Sequence, residues 1–513
     1  MSTSPVTHVF DLPEGVRSKK IIAEISNAFP TLTPPVRRLR LRYYDTFDWR
    51  LYGRGMLLVR VNEEFRLRRA EDDATIASCR VTGEPAFWWD FPAGRLQDNL
   101  RQMSEERALL AVGDVGLRIR DIRVLNADDK TVVRARVEEG EAFDRGTETA
   151  PVRVVNVLPV RGYRKDARRL AEFLTASGFR PAARNTFEVA VEMQGRRPGD
   201  YTSKLSLPLV KSMTAQEAAG VIFGRLLDTI ERNEQGIRQD IDTEFLHDFR
   251  VAIRRTRAGL SQIKNVLPAD TTKSYLARFA ELGRSTNRLR DLDVYLLRQK
   301  HYTEMLAEDL RPALVPLFEA LAEERGEALA VAVRMLASQK YRILVREWRA
   351  TLVSFGSSEL DAKNATVPVD KLSRRFIKKQ HARVLAIGGR IDDGTPDSEL
   401  HALRIQCKKL RYLLEFFSSL YPQEEVAVFV KQLKRLQDNL GDFNDLSVQQ
   451  TELKSFLQRR PQRVSVDTAA AIGALIARLE DRHKSVRNSF AATFEAFAGQ
   501  ANADRFHRLF GGR

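Results

Sequence analysis

The chain has 513 residues and a mass of 58.4 kDa, with 43% hydrophobic and 30% charged residues. That composition suits several folded cores and excludes a disordered or membrane-embedded chain, while the two cysteines, Cys79 and Cys407, exclude a disulfide framework and a cysteine-based zinc site. The net charge is +16, of which residues 1–200 hold +5 and the rest +11, so a polyanionic partner is expected to meet the C-terminal part. The opening MSTSPVTHVFDLPEG lacks a charged region followed by an apolar one. Apolar runs such as Ala469–Ala477 fall far short of the ~18 residues of a spanning helix. A cytoplasmic location is therefore expected.

Residues 1–200 are rich in short runs of alternating apolar and polar residues: Arg40–Tyr44, Gly55–Val61, Phe65–Arg68, Thr131–Val137 and Val152–Val160. Helical spacing appears at Lys19–Phe29 and Asp166–Ser177. This half reads as an α+β domain with a largely antiparallel sheet. The segment Gly195–Asp200 (GRRPGD) reads as a linker. Beyond it, residues 208–500 read as an all-α domain. Its predicted helices are Ala215–Gln239, Glu244–Val266, Tyr275–Arg298, Ala313–Ala337, Val369–Ile387, Ser398–Ser419, Glu424–Leu440 and Ala469–Ala498.

The helical half repeats itself. HDFRVAIRRTRAGL from His247 aligns with HALRIQCKKLRYLL from His401 at an offset of 154 residues. The same offset carries Asp291 onto Asp445 without a gap. Two copies of one helical hairpin, related by a pseudo-two-fold axis, are predicted. On each repeated helix, His247, Arg250, Arg254 and Arg257, or His401, Arg404, Lys408 and Arg411, share one stripe. Arg255 and Lys409 lie on the flank. The adjacent stripe is apolar: Leu246, Phe249, Ile253 and Leu260 in the first copy, Leu400, Leu403, Cys407, Leu410 and Leu414 in the second. Like charges three and four residues apart repel, so a bound polyanion is a natural counterweight; solvation or internal pairing to Asp291, Asp293, Asp442 and Asp445 is the plainer alternative. Neither histidine has a second one at metal-binding spacing, so hydrogen bonding is expected of them rather than metal ligation.

The motifs LHDFRVAIRRTR, RLRDLDVYL, LHALRIQCKKLRY and LKRLQDNLGDFNDL together resemble the CHAD domain, named for conserved histidines and α-helices, over about residues 210–500. The resemblance implies two four-helix bundles around a pseudo-two-fold and a basic channel that binds inorganic polyphosphate. Carried onto this chain, it implies binding by His247, Arg250, Arg254, Arg255 and Arg257, and by His401, Arg404, Lys408, Lys409, Arg411 and Tyr412. Arg284, Arg288, Arg290, Lys379, Lys431 and Lys434 are added from neighbouring helices, with Arg375 beside Lys379. Asp291 and Asp445 are expected to orient arginines.

The stretch RLRLRYYDTFDWRLYGRGMLLVR, with Tyr44, Asp45, Thr46, Gly55 and Arg60, resembles the CYTH domain, a triphosphate tunnel fold. That family opens with Glu-x-Glu-x-Lys, whose carboxylates hold a metal. Here the place reads Thr7-His8-Val9-Phe10-Asp11, and the later strand Val154–Leu158 also lacks carboxylates. Triphosphate hydrolysis needs a divalent cation, so this domain, residues 1–200, is expected to be catalytically degenerate. Its arginines, including Arg40, Arg42, Arg60, Arg66, Arg68, Arg134 and Arg136, are either residual anion ligands or structural. No Walker-type loop and no Gly-x-Ser-x-Gly elbow is present, and no metal or cofactor is called for. Three function classes follow: a polyphosphate-binding protein associated with polyphosphate granules, a CYTH-type triphosphatase or polyphosphatase that docks substrate on its CHAD domain, and a nucleic-acid-binding protein. The basic stripes carry few aromatics on which bases could stack, which favours a base-free polyanion.

Overall fold

The computed structural model describes residues 8–13, 15–16, 18–144, 146, 148–355, 361–459 and 464–511. Two compact units divide the chain, Met1–Ser203 and Lys204–Arg513.

The first unit is built on nine strands. They are β1 (His8–Asp11), β2 (Thr31–Leu32), β3 (Arg37–Asp45), β4 (Met56–Val61), β5 (Glu64–Arg69), β6 (Thr75–Arg80), β7 (Leu110–Leu125), β8 (Thr131–Phe143) and β9 (Thr149–Pro159). All pair antiparallel in the order β1-β9-β8-β7-β3-β4-β5-β6, with β2 also on β7. Four helices accompany them: α1 (Ser18–Ala28), α2 (Arg95–Ser104), α3 (Arg164–Ala176) and α4 (Thr186–Glu192). Ile21 and Ile25 of α1 and Leu170 and Leu174 of α3 pack on Ile122, Val133 and Val155 of the sheet. Phe187 and Ala190 of α4 join Tyr43, Val115 and Leu117 in a second cluster. This α+β architecture is consistent with a CYTH-like fold. Gly195–Asp200 packs onto the sheet unit: Trp49 Nε1 donates to Asp200 Oδ1 at 2.7 Å, and the Arg196 guanidinium covers the rings of Phe47 and Trp49.

The longest strand, β7, was not among the sequence-derived strands. Gly113 and Gly116 weaken its pattern, since glycine packs nothing and loses the most entropy on folding. The tertiary structure supplies the reason for such residues. A Cβ on Gly113 would come within 2.9 Å of Ala190 of α4, and one on Gly140 of β8 would overlap the Gly116 carbonyl oxygen. Because backbone is the obstacle, Gly140→Ala is expected to destabilise the sheet unit by roughly 1–3 kcal/mol. Faster hydrogen exchange of β7 and β8 amides, with protection of the helical unit retained, is the expected result.

The second unit is helical: α5 (Ala215–Arg238), α6 (Thr243–Gln262), α7 (Ala269–Ser285), α8 (Asn287–Leu297), α9 (Gln299–Glu304), α10 (Val315–Ala337), α11 (Gln339–Ser354), α12 (Val369–Gly388), α13 (Asp397–Phe417), α14 (Gln423–Arg459), α15 (Val466–Asn488), α16 (Phe490–Ala498) and α17 (Gln500–Phe510). The offset of 154 residues carries the start of α5 onto that of α12 and the start of α6 onto that of α13. It also lays α7 and α8 along α14. The pseudo-two-fold is visible in the backbone. Ala215 N donates to Val367 O at 2.8 Å, and its equivalent Val369 N donates to Met213 O, the equivalent of Val367, at 2.9 Å. Thr214 thus bridges to Pro368, its own counterpart. A surface that contacts its own copy reciprocally is the mark of two-fold symmetry.

The halves differ in backbone at Thr286. The helix predicted over Tyr275–Arg298 breaks at Thr286, whose φ and ψ are −112° and 3°. Its counterpart α14 runs unbroken for 37 residues, past the predicted end at Leu440. No helix among the described residues is long and apolar enough to cross a membrane.

Candidate polyanion site

Both repeated helices form because their apolar stripes are buried. Leu246, Phe249, Ile253 and Leu260 of α6, and Leu400, Leu403, Cys407, Leu410 and Leu414 of α13, are all at most 3% exposed. Each such side chain contributes roughly 1.5–3 kcal/mol. Like-charge pairs along the other face cost only about 0.2–0.5 kcal/mol each, so the core wins and the cations are carried on its back. The N-cap Asp242 accepts from the Glu244 and Phe245 amides and starts α6 just before the stripe.

Arg250 is anchored on neutral acceptors. It donates to Gly283 O at 3.0 Å, Thr286 Oγ1 at 2.8 Å and Asn287 Oδ1 at 2.8 Å. The helix break at Thr286 leaves the Gly283 carbonyl within its reach. Burial, with Arg254 and Arg290 nearby, pushes the Arg250 guanidinium down to about 10, against the pull of Asp291 and Asp293. In the second copy α14 is unbroken, and Arg404 turns instead to Asp445 at 3.3 Å. Its Nε is buried with no acceptor among the described residues. Burial, then Arg254 of the other copy, holds its guanidinium below the usual range.

The two copies meet at Lys408. Burial lowers its ammonium to about 8, and Arg404, Arg254 and Arg411 add to that effect while Asp445 opposes it. Arg254, exposed on α6, therefore belongs to one cluster with Arg404, Lys408 and Arg411 on α13. Arg254 and Lys408 have no hydrogen bond or ion pair among the described residues. Arg257 is likewise exposed, its guanidinium near Gly283, and Arg284 is exposed on the same α7 turn. Tyr412 flanks the cluster, close enough to act on Arg404 and Arg411.

Other predicted residues are engaged elsewhere. Arg255 crosses to Glu415 at 2.7 Å, and Glu415 also accepts from Arg411 Nε at 2.6 Å. Arg411 reaches Gln437 Oε1 at 3.2 Å as well. Arg288 is ion-paired to Glu324 and Glu452. Arg290 donates to Thr243 O at 3.4 Å. His401 shares a 2.6 Å hydrogen bond with Asn444, and His247 is half-buried on α6. Lys431 and Lys434 are exposed on α14, with no ion pair among the described residues. Asp293 is held by Arg325, not by the stripe. Lys409 belongs to a different group: burial lowers it, followed by Arg383 and Lys264, not by the cations around Lys408. Lys379 is exposed on the same helix as Arg383. Sequence reasoning missed Glu415, whose spacing of four from Arg411 was the available signal, and also Arg383 and Lys264.

In the sheet unit many of these arginines are ion-paired internally, while Arg38, Arg118 and Arg134 are exposed with no ion pair among the described residues. Arg40 and Arg42 both bind Asp114, Arg42 and Arg60 bind Glu84, and Arg66 binds Glu64. Arg68 and Arg136 share Asp73, and Arg136 also binds Asp121. Asp45 is buried, accepting from the Thr46, Leu51 and Tyr52 amides, so it organises its own loop. Burial raises it to about 6 despite those bonds. Of the Thr7–Asp11 stretch, Thr7 lies outside the described residues. Among the described residues no group of three or more histidine, cysteine, aspartate or glutamate side chains is placed to hold a metal.

A duplicated helical hairpin whose basic stripes converge defines the class of the second unit, and the family model agrees with that class. Residues 221–454 match the family model of the CHAD domain. Solved structures similar to this chain include the CHAD domain from the plant Ricinus communis. It is 26% identical over 58% of this chain and 96% of that chain, with a TM-score of 0.49. PptA from Streptomyces chartreusis is 18% identical over 55% of this chain and 99% of that chain, with a TM-score of 0.43. No curated protein matches. The chain carries a CHAD domain at residues 221–454.

The depressed Lys408 has a thermodynamic consequence. Between about pH 8 and the ordinary lysine range near 10.5, the unfolded chain holds a proton that the folded one has released. Stability of the helical unit therefore rises with pH across that window. Lys408→Met is expected to raise the denaturation midpoint at pH 7.5 and to remove this part of the pH slope. Urea titrations at pH 7.5 and pH 10 check both effects.

Proposed function

We propose that the CHAD domain binds linear inorganic polyphosphate across its two repeats, a property that would gather the protein on polyphosphate granules. The observation that carries this reading is the convergence of Arg254 from one repeat with Arg404 and Arg411 around Lys408 of the other, where all three add to the lowering of its ammonium. Protein groups offset this repulsion only in part, through Asp445 and Glu415. A phosphate oxygen arriving at Lys408 would hold its proton to higher pH and take up donors such as Arg404 Nε. Tyr412 is the one aromatic beside the cluster among the predicted residues, which favours a base-free polyanion over single-stranded nucleic acid. The sheet unit, many of whose arginines are ion-paired internally, is given no catalytic role in this reading.

Arg250→Glu with Arg404→Glu tests it. Losing two charge-assisted contacts of roughly 1.5–3 kcal/mol each should weaken long-chain polyphosphate binding at least 100-fold, with helical circular dichroism intact. Wild-type affinity in that variant would place the site elsewhere.

Glu415 competes with the ligand for Arg411 in this reading, while the equivalent position in the first repeat is Ser261. Glu415→Gln is expected to tighten binding by about 1 kcal/mol, roughly five-fold, at low salt. Isothermal titration at 50 and 200 mM salt checks it; the gain should shrink at the higher salt.

A further inference from the structure

The repeat symmetry isolates a basic surface that it does not explain. Lys371, Arg375, Lys379 and Arg383 are spaced four residues apart on α12, and all four are exposed. Their equivalents on α5 are Glu217, Val221, Arg225 and Thr229. Helix α12 carries six basic residues and one acid, against three basic and four acidic residues on α5. The acids of α5 have a structural use: Asp228 and Glu231 bind Arg349 of α11. The other cations of α12 are also occupied, Arg374 facing Asp370 and Lys378 donating to Gly511 O at 3.1 Å. The stripe itself is not ion-paired among the described residues; Arg375 alone has a hydrogen-bond acceptor, the neutral Asn364 at 3.2 Å. Lys409 of α13 and Lys264 beyond the end of α6 extend the group, since both Arg383 and Lys264 act on Lys409.

Four like charges at i,i+4 spacing destabilise a helix unless something neutralises them. The repeat shows that the fold does not require the row, because α5 forms with only one of the four cations, Arg225. The stripe rises about 18 Å along the helix at 1.5 Å per residue, which matches an extended anion and not a compact one. Its only aromatic, Phe376, is half-buried with Arg375 over its ring, so it offers no free stacking platform.

We propose that Lys371, Arg375, Lys379 and Arg383, with Lys409 and Lys264, form a second docking surface for inorganic polyphosphate, engaged by long chains after they fill the cluster at Lys408. This rests on the reading given under Proposed function. Two linked contacts on one chain raise avidity without altering the first site.

The test is calorimetric titration of the full chain with tripolyphosphate, long-chain polyphosphate and single-stranded RNA at matched salt. The proteins are wild type, Lys379→Glu with Arg383→Glu, and the milder Lys379→Ala with Arg383→Ala. Both mutated side chains are exposed, so loss of folding is not expected, and circular dichroism confirms it. The expected result is a loss of at least ten-fold in long-chain affinity for the Glu variant, a smaller loss for the Ala variant, and tripolyphosphate affinity unchanged. The salt dependence should also flatten by roughly 0.7 per lost contact. Unchanged long-chain affinity and salt slope would overturn the second surface. So would an equal loss for tripolyphosphate, which would merge the stripe with the first site, or a loss confined to RNA. Absence of polyphosphate binding by wild type would instead remove the underlying reading, and this inference with it.

Discussion

The helical unit depends on bringing two equivalent helices, α6 and α13, side by side although each carries a row of cations. Arg255 of α6 crosses to Glu415 of α13 and ties the two together. Gly259 of α6, beside Phe416 of α13, leaves room for Phe223 of α5, whose ring would lie 2.7 Å from a Cβ there. The apolar stripes on the far sides of both helices provide most of the free energy. Repulsion among Arg254, Arg404, Lys408 and Arg411 is the smaller term, and in the proposed reading a polyanion relieves it. Binding sites commonly hold such unfavourable charge at the expense of stability.

Duplication gives the site its symmetry, and small departures from duplication give it chemistry. The break at Thr286 offers Arg250 a carbonyl and two polar side chains, while the unbroken α14 leaves Arg404 with one long hydrogen bond to Asp445. Glu415 restrains Arg411 where Ser261 leaves Arg257 unrestrained. One half of the cluster is therefore open and the other partly occupied by the protein's own carboxylates. The contrast between α12 and α5 is a third departure, expressed as charge.

The sheet unit has the opposite electrostatic design. Its arginines are as numerous along β3, β5 and β8, yet Asp73, Glu84, Asp114 and Asp121 take up most of them. Strand pairing sets this: Arg42 of β3 lies directly across from Asp114 of β7, and Arg136 of β8 from Asp121. Opposite charges across a ladder stabilise the sheet and leave little field for an external anion.

The sequence by itself determined the two textures, most helices and the 154-residue repeat, because hydrophobic period and repeated spacing are local properties. It also determined which side of α6 and α13 is basic, since a helix places residues three and four apart on one face. It did not reveal β7, whose glycines look unfavourable until Ala190 and Phe143 are seen to take the space they leave. Nor did it reveal the break at Thr286. Only the tertiary structure decided which cations stay unpaired. Arg255 and Arg288 read like Arg254 and Arg257 along the chain, but Glu415, Glu324 and Glu452 reach the first two from distant positions. It likewise separated Lys408 from its neighbour Lys409, because a 100° turn of the helix sends one toward Arg254 and the other toward Arg383. Charge pairing is a matter of distance in space, and spacing along a helix fixes direction but not partner.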